Sequence, residues 1–236
     1  MSKKQTRRRR SSTKQEPNWT LIGGIVGLGA LILIALLVVS VLQNDPSDTA
    51  TASTENAGTL IDYCLRNEDR CVSLGAEDAP VSMVEVSDYG CIHCHDFVLT
   101  KSATLQEQFV QSDQLRWFVM PFALNERTQP SAAAFLCAAE QGSEKAFVFH
   151  EGMFEIQNST IAHTPEGFSQ VAAEADLDVE SFDQCVEDGR YLSTVAQNQR
   201  AAAEIGINST PSFVIGDTLL RGNLPLSDFA DTIESY

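Results

Sequence analysis

Two cysteines two residues apart, Cys91 and Cys94, stand where a run of strand-forming residues gives way to a helical pattern. That placement constrains the fold more than any other feature. Val81-Ser82-Met83-Val84-Glu85-Val86-Ser87 reads as a strand with apolar residues on both faces, which suits a central strand covered on both sides. Asp88-Tyr89-Gly90 leads into Cys91, and Cys94, Val98, Leu105 and Phe109 then recur at helical spacing. Leu115-Arg116-Trp117-Phe118-Val119-Met120 reads as the next strand.

From about 129 to 205 the pattern is helical. Ala132–Glu140 is a small-residue helix, and Glu144–Ile156 places Ala146, Phe149 and Met153 on one face. Thr164-Pro165-Glu166 starts a helix with a capping hydroxyl and a proline at the first helical position. Val179–Val186 and Tyr191–Glu204 supply two more. After Thr210-Pro211, two short strand runs flank Gly216-Asp217, a two-residue hairpin signal, and Pro225–Ile233 closes the chain as a helix. The order is that of an α/β layered fold with an all-helical insertion over about 129–205.

Charge divides the chain into regions. Residues 1–19 carry seven basic residues against Glu16 alone, a basic segment expected to stay in the cytoplasm. Leu21–Leu42 holds 22 residues without a charge, long enough as a helix to span a ~30 Å hydrocarbon core. The expectation is a transmembrane signal anchor over 20–42. A cleaved signal peptide is the rival, but its apolar stretch is usually only ~7–15 residues. Residues 43–60, rich in Ser, Thr, Ala, Asn and Asp, read as a flexible linker, with the folded domain over 61–236. With a whole-chain charge of −16 and +6 in the first 19 residues, the remainder carries −22. Phosphate repulsion would oppose nucleic-acid contacts everywhere on so acidic a domain, so no nucleic-acid partner is expected.

A Cys-x-x-Cys pair at a helix start can close a small disulfide. Backbone N–H groups and the helix dipole there favour an anion, so Cys91 is expected to be the low-pKa nucleophile, with His93 adding positive charge beside it. Stabilising the thiolate disfavours the disulfide and makes the pair oxidising. Two other chemistries use the same residues. Zinc needs two more ligands, and no second Cys-x-x-Cys is present, so no metal is expected. Cys91-Ile92-His93-Cys94-His95 also matches the c-type haem attachment pattern, whose function would be electron transfer, but a β-strand lead-in is the wrong context for it.

Ser87-Asp88-Tyr89-Gly90-Cys91-Ile92-His93-Cys94-His95-Asp96-Phe97 resembles the active-site segment of DsbA-like thiol:disulfide oxidoreductases, and Ser209-Thr210-Pro211-Ser212-Phe213-Val214 resembles that family's second signature. With the helical block between them, the resemblance covers about Cys71 to Tyr236. It implies a thioredoxin-like sheet with an inserted helical subdomain, here preceded by one transmembrane helix. It implies a disulfide donor to reduced or unfolded secreted proteins, with no cofactor beyond the Cys91–Cys94 disulfide and a quinone-linked membrane oxidant as partner. An isomerase or reductase of the same fold runs the same exchange. The resemblance further implies that Pro211 is a cis-proline facing the disulfide, that the Thr210 backbone pairs with substrate, and that Glu85 is a buried acid shuttling a proton for Cys94. On the residues alone, Glu85 could instead lie at a sheet edge and reach water. The sequence has Ile92 where DsbA itself has proline.

The other four cysteines read as structural. Cys64 and Cys71 bracket a short loop, and Cys137 and Cys185 fall on expected insertion helices. Four cysteines allow three pairings, and proximity and placement favour this one. His150 and His163 read as surface or helix-end residues without a role.

Overall fold

The computed structural model describes residues 51–53 and 57–236. In chain order its elements are β1 (Thr51–Ser53), α1 (Gly58–Arg66), β2 (Val72–Leu74), β3 (Val81–Ser87), α2 (Ile92–Phe97), β4 (Leu115–Pro121), α3 (Gln129–Ala139), α4 (Ser143–Glu155), α5 (Pro165–Glu174), α6 (Val179–Glu187), α7 (Leu192–Glu204), β5 (Ser212–Ile215), β6 (Thr218–Arg221) and α8 (Leu226–Glu234). Two π-helical stretches, Val98–Ser102 and Gln106–Val110, joined by Ala103–Leu105, carry α2 onward.

The six strands form one sheet in the order β1-β6-β5-β3-β4-β2. β3 lies inside it, parallel to β4 and antiparallel to β5. Six of its seven residues are buried, which explains why its sequence is apolar on both faces. Met83 and Glu85 pair across to Ile215 and Phe213, so they share a face with the cluster of Cys94, Phe97, Trp117, Phe213 and Phe229. Val84 and Val86 face the opposite cluster, with Leu60 and Ile61 of α1 and Ala202 of α7. The Phe97 ring sits 4.5 Å from Phe213 and 5.3 Å from Phe229, centroid to centroid, and fastens α2 to β5 and α8.

The helical insertion runs from α3 to α7. Thr164 accepts a hydrogen bond from the Gly167 N–H at 3.3 Å and Pro165 opens α5, as its sequence demands. The β5–β6 hairpin turns at Gly216, whose φ of +57° is open to glycine. A Cβ there would also meet the Tyr236 ring at 2.3 Å.

Two boundaries differ from the sequence reading. The segment 43–60 is not a linker throughout. Thr51–Ser53 pairs antiparallel with β6, and α1 begins at Gly58, with Ala57 and Leu60 buried. Strand pairing on an edge uses backbone groups that no composition signal reports. The basic segment 1–19 and the apolar run 20–42 lie outside the described residues. Among the described residues, no helix is long and apolar enough to cross a membrane.

Candidate active site

Cys91 is the N-cap of α2, in extended conformation, and it is half-buried. Its N–H donates to the Asp88 carbonyl at 2.9 Å and its own carbonyl accepts from His95 N–H at 3.1 Å. Gln157, just beyond α4, donates from Nε2 to the carbonyls of Tyr89 (2.7 Å) and Cys91 (3.1 Å) and fixes the turn from the insertion side. Asp88 is buried beneath this turn. Its carboxylate accepts from Gly90 N–H, from Leu124 N–H and from the Thr128 hydroxyl, tying the turn to the loop that opens the insertion.

Thr210–Pro211 is a cis peptide bond, and the Thr210 carbonyl oxygen accepts from the Cys91 thiol at 3.2 Å. Residues 119 apart in sequence therefore meet at one sulfur. Pro211 is buried, and its carbonyl accepts from Gly222 N–H at 2.8 Å, which anchors the loop to the end of β6.

The two thiols are free and occupy opposite environments. The Cys91 pKa is lowered to about 5. The largest cause is hydrogen bonding from the Cys94 side chain, opposed by burial; the Thr210 side-chain hydroxyl and the backbone N–H groups of Cys94 and His93 lower it further. Cys94 is fully buried, and burial followed by the neighbouring Cys91 pushes its pKa well up. The helix start thus contributes to the acidity of Cys91, but the partner thiol contributes most. The His93 side chain is exposed, and its contribution comes through its backbone rather than its imidazole. Since the Cys94 sulfur is enclosed, the Cys91–His95 segment does not present two thiols on one open surface, as haem attachment needs. Among the described residues, no group of three or more His, Cys, Asp or Glu could hold a metal ion.

Glu85 is not at a sheet edge. It is fully buried at the centre of the sheet, and neither carboxyl oxygen has a hydrogen-bond partner. Facing it at 3.7 Å is Nε2 of His150, from α4. The sequence reading of His150 as a surface residue is therefore wrong: it is 3% exposed, and its Nδ1 lies 2.9 Å from the Tyr89 hydroxyl. The signal was present, because His150 falls four residues after Ala146 and three before Met153, inside the apolar stripe of α4. His163 does sit at a helix end, just before α5, with Nδ1 2.9 Å from the Ser131 hydroxyl.

The remaining cysteines are bonded to one another. Cys64–Cys71 spans 7 residues and Cys137–Cys185 spans 48, the latter joining α3 to α6.

A family model for thioredoxin matches residues 67–235. The chain belongs to that thioredoxin family. This thioredoxin-family chain is 22% identical over 213 residues to the probable disulfide bond formation protein D of Bacillus anthracis, covering 88% of this chain and 90% of that protein. In fold it is similar to Chlamydia trachomatis DsbA, with TM-score 0.64 and 19% identity over 70% of this chain and 90% of that one. It is likewise similar to oxidised BdbD of Bacillus subtilis, with TM-score 0.64 and 22% identity over 72% of this chain and 93% of that one.

Proposed function

We propose that this thiol:disulfide oxidoreductase is a disulfide donor to reduced or unfolded secreted proteins, held by the apolar run 20–42 at the outer side of a cell membrane. The observation that carries the reading is the asymmetry of the two sulfurs: Cys91 half-exposed and acidic, Cys94 enclosed and hard to ionise.

A client thiolate attacks Sγ of Cys91 in the Cys91–Cys94 disulfide. The bond between the two sulfurs breaks, and Cys94 leaves with the electron pair and takes up a proton. A second client thiolate then attacks the client sulfur of the mixed disulfide and expels Cys91 as a thiolate. A low-pKa thiol leaves readily, so this step is fast in the donor direction. The client gains a disulfide, and the enzyme pair keeps two electrons. The extended client chain lies along the Thr210–Pro211 backbone, as an added strand would. Glu85 supplies the proton that the buried Cys94 thiolate takes up. No cofactor beyond the disulfide itself is needed, and a quinone-linked membrane oxidant removes the two electrons. The acidic domain leaves nucleic acids out as partners.

The relative from Bacillus anthracis carries the name of a disulfide bond formation protein, which supports the donor direction. The test is the equilibrium of the Cys91–Cys94 pair with glutathione. A donor has a potential nearer about −120 mV than about −270 mV. A value at the thioredoxin end would assign the protein to reduction instead.

A further inference from the structure

Resting on the reading of Glu85 as the proton shuttle, we propose that His150 is a positioning residue: its Nε2–H hydrogen-bonds the Glu85 carboxylate that forms whenever Glu85 protonates the outgoing Cys94 thiolate.

Two buried polar groups face each other here. Glu85 Oε1, Glu85 Oε2 and His150 Nε2 are enclosed without a hydrogen-bond partner, and Oε1 and Nε2 face each other at 3.7 Å. The gap exceeds hydrogen-bond distance by only about half an ångström. The other imidazole nitrogen decides which partner carries the proton. Nδ1 lies 2.9 Å from the Tyr89 hydroxyl. Burial first, then the nearby Glu85, Cys94 and Asp88, push the Tyr89 pKa well up, so the phenol keeps its proton and has it available to donate to Nδ1. An imidazole accepting at Nδ1 carries its hydrogen at Nε2, aimed at Glu85.

Aromatic rings enclose the imidazole. Phe135 from α3, together with Phe147 and Phe154 from its own helix, pack on the ring at centroid distances of 5.4, 6.4 and 5.1 Å. The titratable groups facing the ring are Glu85 from β3 at Nε2 and Tyr89 from the turn at Nδ1; Asp88 and Cys94 act on Tyr89, and Glu151 follows His150 on its own helix. The proton balance is simple. Glu85 in its acid form gives a proton to the Cys94 thiolate, leaving a thiol and a carboxylate, and His150 stabilises that carboxylate without giving up a proton. When Cys94 attacks the next mixed disulfide during reoxidation, its proton returns to Glu85.

The test is a double-mutant cycle on the full-length protein, following exchange with a dithiol peptide. His150→Phe keeps the aromatic packing and removes the donor. It is expected to slow exchange by about tenfold or more, the worth of one hydrogen bond to a charged group. His150→Gln, which restores an N–H donor, should recover part of the rate. In a Glu85→Gln background no carboxylate forms, so His150→Phe should then change nothing. The Cys91 thiolate titration, read at 240 nm, should be the same in every variant. Equal slowing in both backgrounds, or a His150→Phe rate equal to wild type, overturns the proposal. Absence of exchange in the wild-type protein overturns the function proposed above instead, and a wild-type rate for Glu85→Gln removes the shuttle.

Discussion

The sulfur of Cys91 lies 3.2 Å from the carbonyl oxygen of Thr210, so the nucleophile and the backbone proposed above to receive an extended chain form one surface. On that proposal, substrate recognition and chemistry coincide at this point. A client strand docked beside Thr210 brings its own thiol within reach of Cys91.

The Cys91 thiolate should titrate with a midpoint near pH 5 rather than 9, measured as thiolate absorbance of the reduced protein. Its folded pKa is depressed, so the thiolate stabilises the reduced fold fully above the unfolded pKa near 9 and less at each lower pH. That contribution vanishes as pH falls through about 5. At pH 7 the reduced protein should therefore melt above the oxidised one, and the difference should shrink toward pH 5. An oxidised form that melts higher at pH 7 would contradict the donor role.

Cys94→Ala should trap covalent adducts when mixed with a disulfide-bearing peptide. Cys91 attacks, the peptide's other sulfur leaves, and no second enzyme thiol remains to release the product. Cys91→Ala should trap none, since the Cys94 sulfur is enclosed. Non-reducing gels read both outcomes, and adducts through Cys94 would reverse the roles.

Gly90→Ala should destabilise the protein by about 1–3 kcal/mol and slow exchange, because a Cβ at that position would meet the Thr128 methyl at 2.6 Å. Thr128→Ser removes that methyl and keeps the hydroxyl that bonds Asp88. The double variant should regain most of the loss. Thermal melts of the two variants settle the point, and an unrescued double variant would place the strain elsewhere.

The two disulfides should differ in worth. Loop-closure entropy gives about 4 kcal/mol for the bond spanning 48 residues and about 2.5 kcal/mol for the one spanning 7. Alanine pairs at Cys137/Cys185 and at Cys64/Cys71, compared by urea denaturation, should rank in that order. The Cys91 titration should be unchanged in both.

Much of this architecture was legible in the sequence because its signals are local. β3, with residues suited to burial on both faces, and the hairpin at Gly216 follow from period and turn chemistry. So does the capped start of α5. β1 and β2 were not legible: three-residue strands have no period to read, and their pairing partners are remote in sequence. At the site, the Cys91–Cys94 pair announces itself, whereas Asp88, bonded by two backbone N–H groups and the Thr128 hydroxyl, and Gln157, bonded to two backbone carbonyls, leave no motif. His150 was misread because histidine was judged by its type rather than by the apolar stripe it occupies.

The sheet ends on both sides in strands of three residues, β1 and β2. A protein that handles unfolded polypeptides risks becoming a template for their aggregation wherever it shows a long open border. Among the described residues each border offers three residues of open backbone, which leaves a foreign strand little to pair with.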